Sequence, residues 1–246
     1  MSKSTNLHII TCKDFMDYVE KVEFHTRLAR NDLSLYRGQS DAKWHLEPSI
    51  VRNGVDPTFR EKEKEFLMEF KRLGRPLVNK DILGNPWDLL AFAQHHGLHT
   101  RLLDWTTNPL AALWFAFEKE KQVDKRAVWF LFLDEKTDIA DTDDEGTPFT
   151  QGRTIAFKPN HVTPRIKAQN GWFTTHKFIV DKEKPKSFIP LDRNSSYKKR
   201  LYKFELDNNL RAEILDGLDK FGINSASIYP DLVGLTSYLN WKRGGK

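Results

Sequence analysis

A single cysteine, Cys12, stands in 246 residues, so no internal disulfide is available and no zinc site needing two thiolates from this chain. Long apolar runs are missing too. No stretch of about 18 apolar residues suits a membrane span, and the first thirty residues lack the apolar core of a signal peptide. These absences predict a cytoplasmic protein with no membrane partner. The common nucleotide and hydrolase signatures are likewise absent: there is no P-loop, no G-x-G-x-x-G and no G-x-S-x-G. No internal repeat or low-complexity segment suggests a solenoid.

What is present is aromatic mass, with 17 Phe and 7 Trp to fill a core. The length suits one domain. The balance of 39 Lys and Arg against 34 Asp and Glu leaves a charge of +5, a mild preference for anionic partners that an ordinary solvated surface explains equally well.

Thr11 and Asp14 mark a helix start, with Phe15, Val19 and Val22 on one face. Leu33–Gln39 reads as a strand that ends in Arg37-Gly38-Gln39, where Gly38 permits a turn or a close approach to a ligand. Asp56-Pro57, Asn85-Pro86 and Asn108-Pro109 are cap-and-first-turn pairs for three helices. The first runs to about Arg72, and the second ends after His95 and His96 at Gly97. The third covers residues 110–118, with Leu113, Trp114 and Phe117 turned inward. Residues 127–133, 154–157, 171–180 and 201–206 read as strands, and 138–146 as a solvated acidic loop. Two helices close the chain, one over residues 209–220 and one from Pro230 carrying Leu232, Leu235 and Leu239. The expectation is an α+β fold: an N-terminal helix in residues 1–32, a single domain over 33–240 with a mixed or split β-sheet flanked by helices, and a basic tail over 241–246.

Residues 94–109, QHHGLHTRLLDWTTNP, crowd three His, an Arg, an Asp, three Thr and an Asn into what reads as a loop between two helices. Backbone N–H groups at the start of the second helix suit a phosphate or carboxylate, with Thr106, Thr107 and Asn108 as polar partners. A plainer alternative pairs Arg101 with Asp104, makes Thr107 or Asn108 a simple cap and sets the histidines on nearby carbonyls. His95 and His99 are four apart, but Gly97 breaks the helix between them, so no metal is expected. Arg165 and Gln169 are either site residues or a helix-face pair. Strand alternation from Trp172 puts Thr174 and His176 on one face and Phe173 and Thr175 on the other.

Tyr36-Arg37-Gly38-Gln39, then QHHGLHTRLLDWTTNPLAALWFAF, then Arg165-Ile166-x-x-Gln169-x-Gly171-x-Phe173, then Tyr229-Pro230-Asp231-Leu232 resemble, in that order, the motifs of the FRG domain family over residues 33–240. His99 departs from the pattern, which commonly has proline there. The order is also similar to that of ADP-ribosyltransferases, in which an early strand supplies Arg or His for a nicotinamide dinucleotide, a later one Ser, Thr or an aromatic, and a third Glu or Gln. This second resemblance implies NAD as substrate. Arg37 would clamp pyrophosphate or ribose, its planar fork being suited to oxyanions. Thr106 and Thr107 would fill the middle role, and Gln169 or Glu118 the third, although Glu118 reads otherwise as a solvated carboxylate at a helix end. An amide takes up no proton near neutral pH, so Gln169 would position a ribose hydroxyl and leave proton transfer to His96, His176 or Asp104. Gly38, Gln39, His95, Thr100, Arg101, Trp105, Asn108 and Arg165 complete the expected ligand contacts.

The implied activity is ADP-ribosyl transfer to a nucleic-acid or protein acceptor, or NAD glycohydrolysis, in a toxin-like or phage-defence effector. The alternative is a non-catalytic nucleotide- or nucleic-acid-binding module, with basic segments 182–203 and 242–246 on phosphates and exposed aromatics on bases. A regulatory protein–protein domain with a polar pocket is a third.

Overall fold

The computed structural model describes residues 7–29, 32–52, 57–143, 146–160, 163–179 and 187–244. The chain enters through β1 (His8–Cys12) and α1 (Phe15–Leu28), and continues through β2 (Leu33–Gln39), α2 (Pro57–Gly74), α3 (Lys80–Gly84), α4 (Pro86–His95), β3 (Leu102–Thr106), α5 (Pro109–Phe117) and β4 (Lys125–Leu133). It then passes through β5 (Ile155–Phe157), α6 (Pro164–Ala168), β6 (Gly171–Thr175), β7 (Phe178–Ile179), β8 (Ser187–Phe188), β9 (Leu201–Asp207), α7 (Arg211–Lys220), α8 (Ser225–Ile228) and α9 (Leu232–Arg243).

Seven strands make one sheet in the order β1-β9-β4-β2-β3-β6-β5, with β7 and β8 as a separate ribbon. β1 runs parallel to β9 and the other pairings are antiparallel, so the sheet is mixed, flanked by helices, and not split into two halves. Side chains on a strand alternate between faces, and here both faces are apolar. Tyr36, Val128, Phe130 and Phe204 pack on α1, α5 and α7, while Leu35, Trp129, Leu131 and Trp105 form a second core on the opposite face. A third cluster, around Trp87, Phe157 and Phe173, joins α2, α3 and α4 to the β5–β6 end.

The cap signals act as their chemistry predicts. Asp14 accepts from Asp17 N at 2.8 Å, Asn85 from Trp87 N at 2.8 Å and Asn108 from Leu110 N at 2.9 Å. Asp56 lies outside the described residues. Gly97 ends α4 with φ +95°, a conformation that favours glycine.

Several expectations need correction. Residues 102–106 are a strand, not a loop: Leu102, Leu103 and Trp105 are buried in the sheet, and the polar residues between them mask the pattern. Residues 8–12 add a strand ahead of the first helix. The strand predicted over 171–180 ends at Thr175, with Val180 outside the described residues. Asp138 is buried and ion-paired with Arg200 and Arg153, so the acidic segment is not wholly solvated. Leu232, Leu235 and Leu239 of α9 are exposed, not core. Gly38 neither turns the chain nor is bared for a ligand alone: a Cβ built there would lie 2.0 Å from Ala112 O, so glycine lets α5 sit against β2.

Candidate functional site

β2 pairs with β4 along its whole length, but with β3 at one position, Tyr36 opposite Thr106. Beyond that point the two strands part. Arg37 bridges the opening: its Nη1 donates to the Asp104 carbonyl at 2.7 Å and approaches the Asp104 carboxylate at 3.4 Å. The guanidinium side chain is 13% exposed, and its Nε is buried with no partner among the described residues. Burial lowers its pKa while Asp104 opposes the effect, and a guanidinium stays cationic in proteins. Asp104 is also held from the other side by Gln94 Nε2 at 2.7 Å.

A cavity of about 700 Å³ opens at this gap, in the size range of small-ligand sites. Arg37, Gly38, Gln39, Asp104, Trp105, Thr106 and Gln169 from the expected set all line it. So do Lys43, Trp44, His45, Arg52, Glu118 and Lys119, which sequence reading did not place there, apart from the weighing of Glu118. The loop after β2 supplies most of these, and its 40–52 sequence carries no motif that would have found them. His45 is held on both sides of its ring, with Nδ1 2.7 Å from Asp192 Oδ2 and Nε2 2.7 Å from Arg193 Nη2.

Glu118 is half-buried at the end of α5, not a fully solvated helix-end carboxylate. Burial raises its pKa above the usual carboxylate range, with Lys119 and the Tyr229 hydroxyl, which donates to Glu118 Oε2 at 3.4 Å, pulling it back. Two arginines fix the helix end beneath it. Arg126 Nη1 donates to Ala116 O at 2.6 Å, and Arg211 donates to Phe117 O at 3.0 Å and Glu118 O at 2.9 Å. Cations on terminal carbonyls suit the negative end of the helix dipole.

The remaining expected residues serve elsewhere. Asn108 accepts from Leu110 N and Ala111 N, and Asn108 N itself donates to Thr106 Oγ1 at 3.0 Å. The helix start therefore offers no free donors for an anion, which overturns that expectation. Thr106 Oγ1 donates to Gln169 O at 2.6 Å, locking the end of β3 to the turn after α6. Thr107 is exposed and donates through its backbone to Asn170 O. Arg101 does not pair with Asp104 and does not face the cavity: it is buried against Glu63 at 2.7 Å, and its backbone N–H is taken by the same carboxylate. Thr100 is buried, its hydroxyl bonded to the Gln94 side chain. His95 is partly buried at the end of α4, its pKa lowered by burial and then by His96, and His96 is exposed beside Phe92; neither lines the cavity. His176 is wholly buried on Thr174, with its pKa pushed down to about 3 by burial and then by Arg37, so it stays neutral and cannot relay protons near pH 7.

Arg165 is more than a helix-face pair with Gln169. Its Nη2 reaches Asp231 at 2.6 Å, its guanidinium lies 4.9 Å from the Tyr229 ring centre, and Gln169 Nε2 donates to Ile228 O at 3.4 Å. The blocks around residues 165 and 229, distant in sequence, thus meet next to Glu118.

Fold and site together define a mixed α/β protein whose sheet opens around a buried arginine. Within it, the FRG domain matches residues 32–125, the stretch that holds Arg37, Asp104 and Glu118. The resemblance read from the sequence runs further, to residue 240, whereas the match stops at the first residue of β4. Neither curated proteins nor solved structures give a match. No helix among the described residues is long and apolar enough to cross a membrane.

Proposed function

We propose that the cavity at Arg37 takes a nucleotide diphosphate, with NAD as the substrate suggested by the motif order, and that the protein transfers or hydrolyses its ADP-ribosyl group. The observation that carries this reading is Arg37 itself, a cation largely withdrawn from water with an unmatched N–H donor on the wall of a ligand-sized cavity. Such a group is stabilised by an oxyanion, and a planar guanidinium suits phosphate. Lys43, Arg52 and Lys119 add positive charge around it, and Trp44 adds flat apolar surface for a ring.

Glu118 is the carboxylate in this scheme. The bond from ribose C1′ to the nicotinamide nitrogen breaks, the electron pair leaves with neutral nicotinamide, and positive charge spreads over C1′ and the ring oxygen. Asp104 and Glu118 favour that charge electrostatically. Water or an acceptor hydroxyl bonds to C1′ and its proton passes to Glu118, while Gln169 orients a ribose hydroxyl. An NAD-consuming activity of this kind suits a cytoplasmic toxin-like or phage-defence effector.

Calorimetry with ADP-ribose and nicotinamide release from NAD, with and without a protein or oligonucleotide acceptor, test the reading. Binding heat that disappears in Arg37→Ala, and nicotinamide release that disappears in Glu118→Gln while ADP-ribose still binds, are expected. Absence of both heat and release discards the proposal.

A second reading, a nucleic-acid-binding module without catalysis, is favoured by Trp44, which is 48% exposed with Lys121 Nζ 3.5 Å from its ring centre. The basic segment further along supports it less, because Lys203 is buried on Ala42 O and Glu205, and residues 180–186 lie outside those described. Salt-sensitive oligonucleotide binding without nicotinamide release distinguishes this reading.

A further inference from the structure

On the other side of Glu118 lies a second cavity of about 550 Å³, between α5, α7, α8 and α9, and Glu118 lines both. Its walls are aromatic. Trp114 and Tyr229 stand nearly at right angles, with ring centres 5.6 Å apart, and Trp241 closes another side. This corner presents flat apolar surface in two planes.

Two arginines stand in the polar lining. Arg211 commits Nε and Nη2 to the carbonyls of Phe117 and Glu118, and meets no carboxylate in an ion pair among the described residues. Arg165 shares its charge with Asp231 at the rim and stacks on Tyr229. Glu118 is the sole carboxylate in the lining. Apolar walls with a guanidinium that meets no carboxylate, beside a second one at the rim, favour a ligand of opposite charge and aromatic body.

We propose that this second cavity is a separate binding site for a planar aromatic molecule bearing one anionic group, its ring held by Trp114, Tyr229 and Trp241 and its anion by Arg211 and Arg165. The inference goes beyond the NAD reading and stands without it, since none of its contacts uses Arg37.

The probe is 1-anilinonaphthalene-8-sulfonate, titrated into the full chain and read by energy transfer from tryptophan. N-phenyl-1-naphthylamine serves as its uncharged counterpart. Two surface positions of α9 line the cavity without supporting the core: Ser237 is exposed and Val233 is 66% exposed. Ser237→Trp plugs the cavity and Val233→Asp brings a like charge to the anion. Saturable binding of one sulfonate per chain is expected, weakened roughly tenfold or more in each variant and for the uncharged probe, as for loss of a charge-assisted bond. Thermal melting confirms that both variants fold, and Val233→Lys retains binding. Binding unchanged in both variants places the probe elsewhere, on the exposed leucines of α9 or in the first cavity, and overturns the proposal. Equal affinity for the uncharged probe, or no saturable binding at all, also overturns it.

Discussion

Arg37 Nη1 lies 2.7 Å from the main-chain oxygen of Asp104, so a side chain joins two strands where their backbones have stopped pairing. The same guanidinium therefore has two tasks, closing a flaw in the sheet and facing the cavity.

The two tasks separate by substitution. Arg37→Lys keeps the charge and loses the planar fork. Loss of a charged hydrogen bond is worth about 2 kcal/mol, which corresponds to roughly 30-fold weaker ADP-ribose binding. Calorimetry measures it, and unchanged affinity would remove Arg37 from the ligand contacts.

At Gly38 the effect falls on stability. A methyl group there meets the backbone oxygen of Ala112 and the backbone nitrogen of Ala116 at 2.6 Å, neither of which can rotate aside. Gly38→Ala should destabilise by about 3 kcal/mol or more through overpacking. A denaturation midpoint equal to that of the parent would show that α5 and β2 are less closely packed.

Arg101 offers a control. Removing one partner of a buried ion pair leaves the other charge uncompensated, at a cost of about 3–5 kcal/mol. Glu63→Ala and Arg101→Ala should both lower stability by that order and leave ADP-ribose affinity of the folded protein unaltered. A selective affinity loss in Arg101→Ala would return that residue to the site.

His176 predicts an acid limb in stability. Its folded pKa is depressed to about 3, while an unfolded histidine titrates near 6.5, so the unfolded chain binds the proton first as pH falls. The contribution of the neutral ring is complete above pH of about 6.5 and drains away between there and about 3. His176→Gln should flatten the stability profile across that interval; an identical slope in the variant would refute the assignment.

For Glu118, activity that needs the carboxylate should rise as pH climbs through its elevated pKa. The Tyr229 hydroxyl lowers that pKa, so Tyr229→Phe should move the limb to higher pH. A limb that stays put, followed as nicotinamide release against pH, would uncouple the pair.

Much of the fold was legible because local rules sufficed. Asn85 and Asn108 announce their helices by capping chemistry, and the apolar run over 127–133 marks a central strand. Arg37 and Gln169 were drawn to the same region by motif order, and both line the cavity. The failures share a physical origin in long-range pairing. Arg101 is committed to Glu63 on a helix whose register with β3 no local pattern encodes, and Asn108 consumes the donors that appeared free for a ligand. Glu118 shows only as the first charged residue after a nine-residue apolar helix, and the Tyr229 hydroxyl that meets its carboxylate comes from far along the chain. β1 carries no local signal because its outer face is solvated and its partner β9 follows all the other strands of the sheet.

That late partner sets the order of assembly. His8 lies opposite Tyr202, and β9 fits between β1 and β4, so a growing chain cannot finish its sheet until residues 201–207 have been synthesised. Closing so long a loop before any contact rewards it slows folding. The stretch 32–125 brings two of the seven strands and leaves β2 without the neighbour it pairs with most fully, so an excised fragment with those limits would expose Tyr36 and Leu35 and aggregate instead of forming a working pocket.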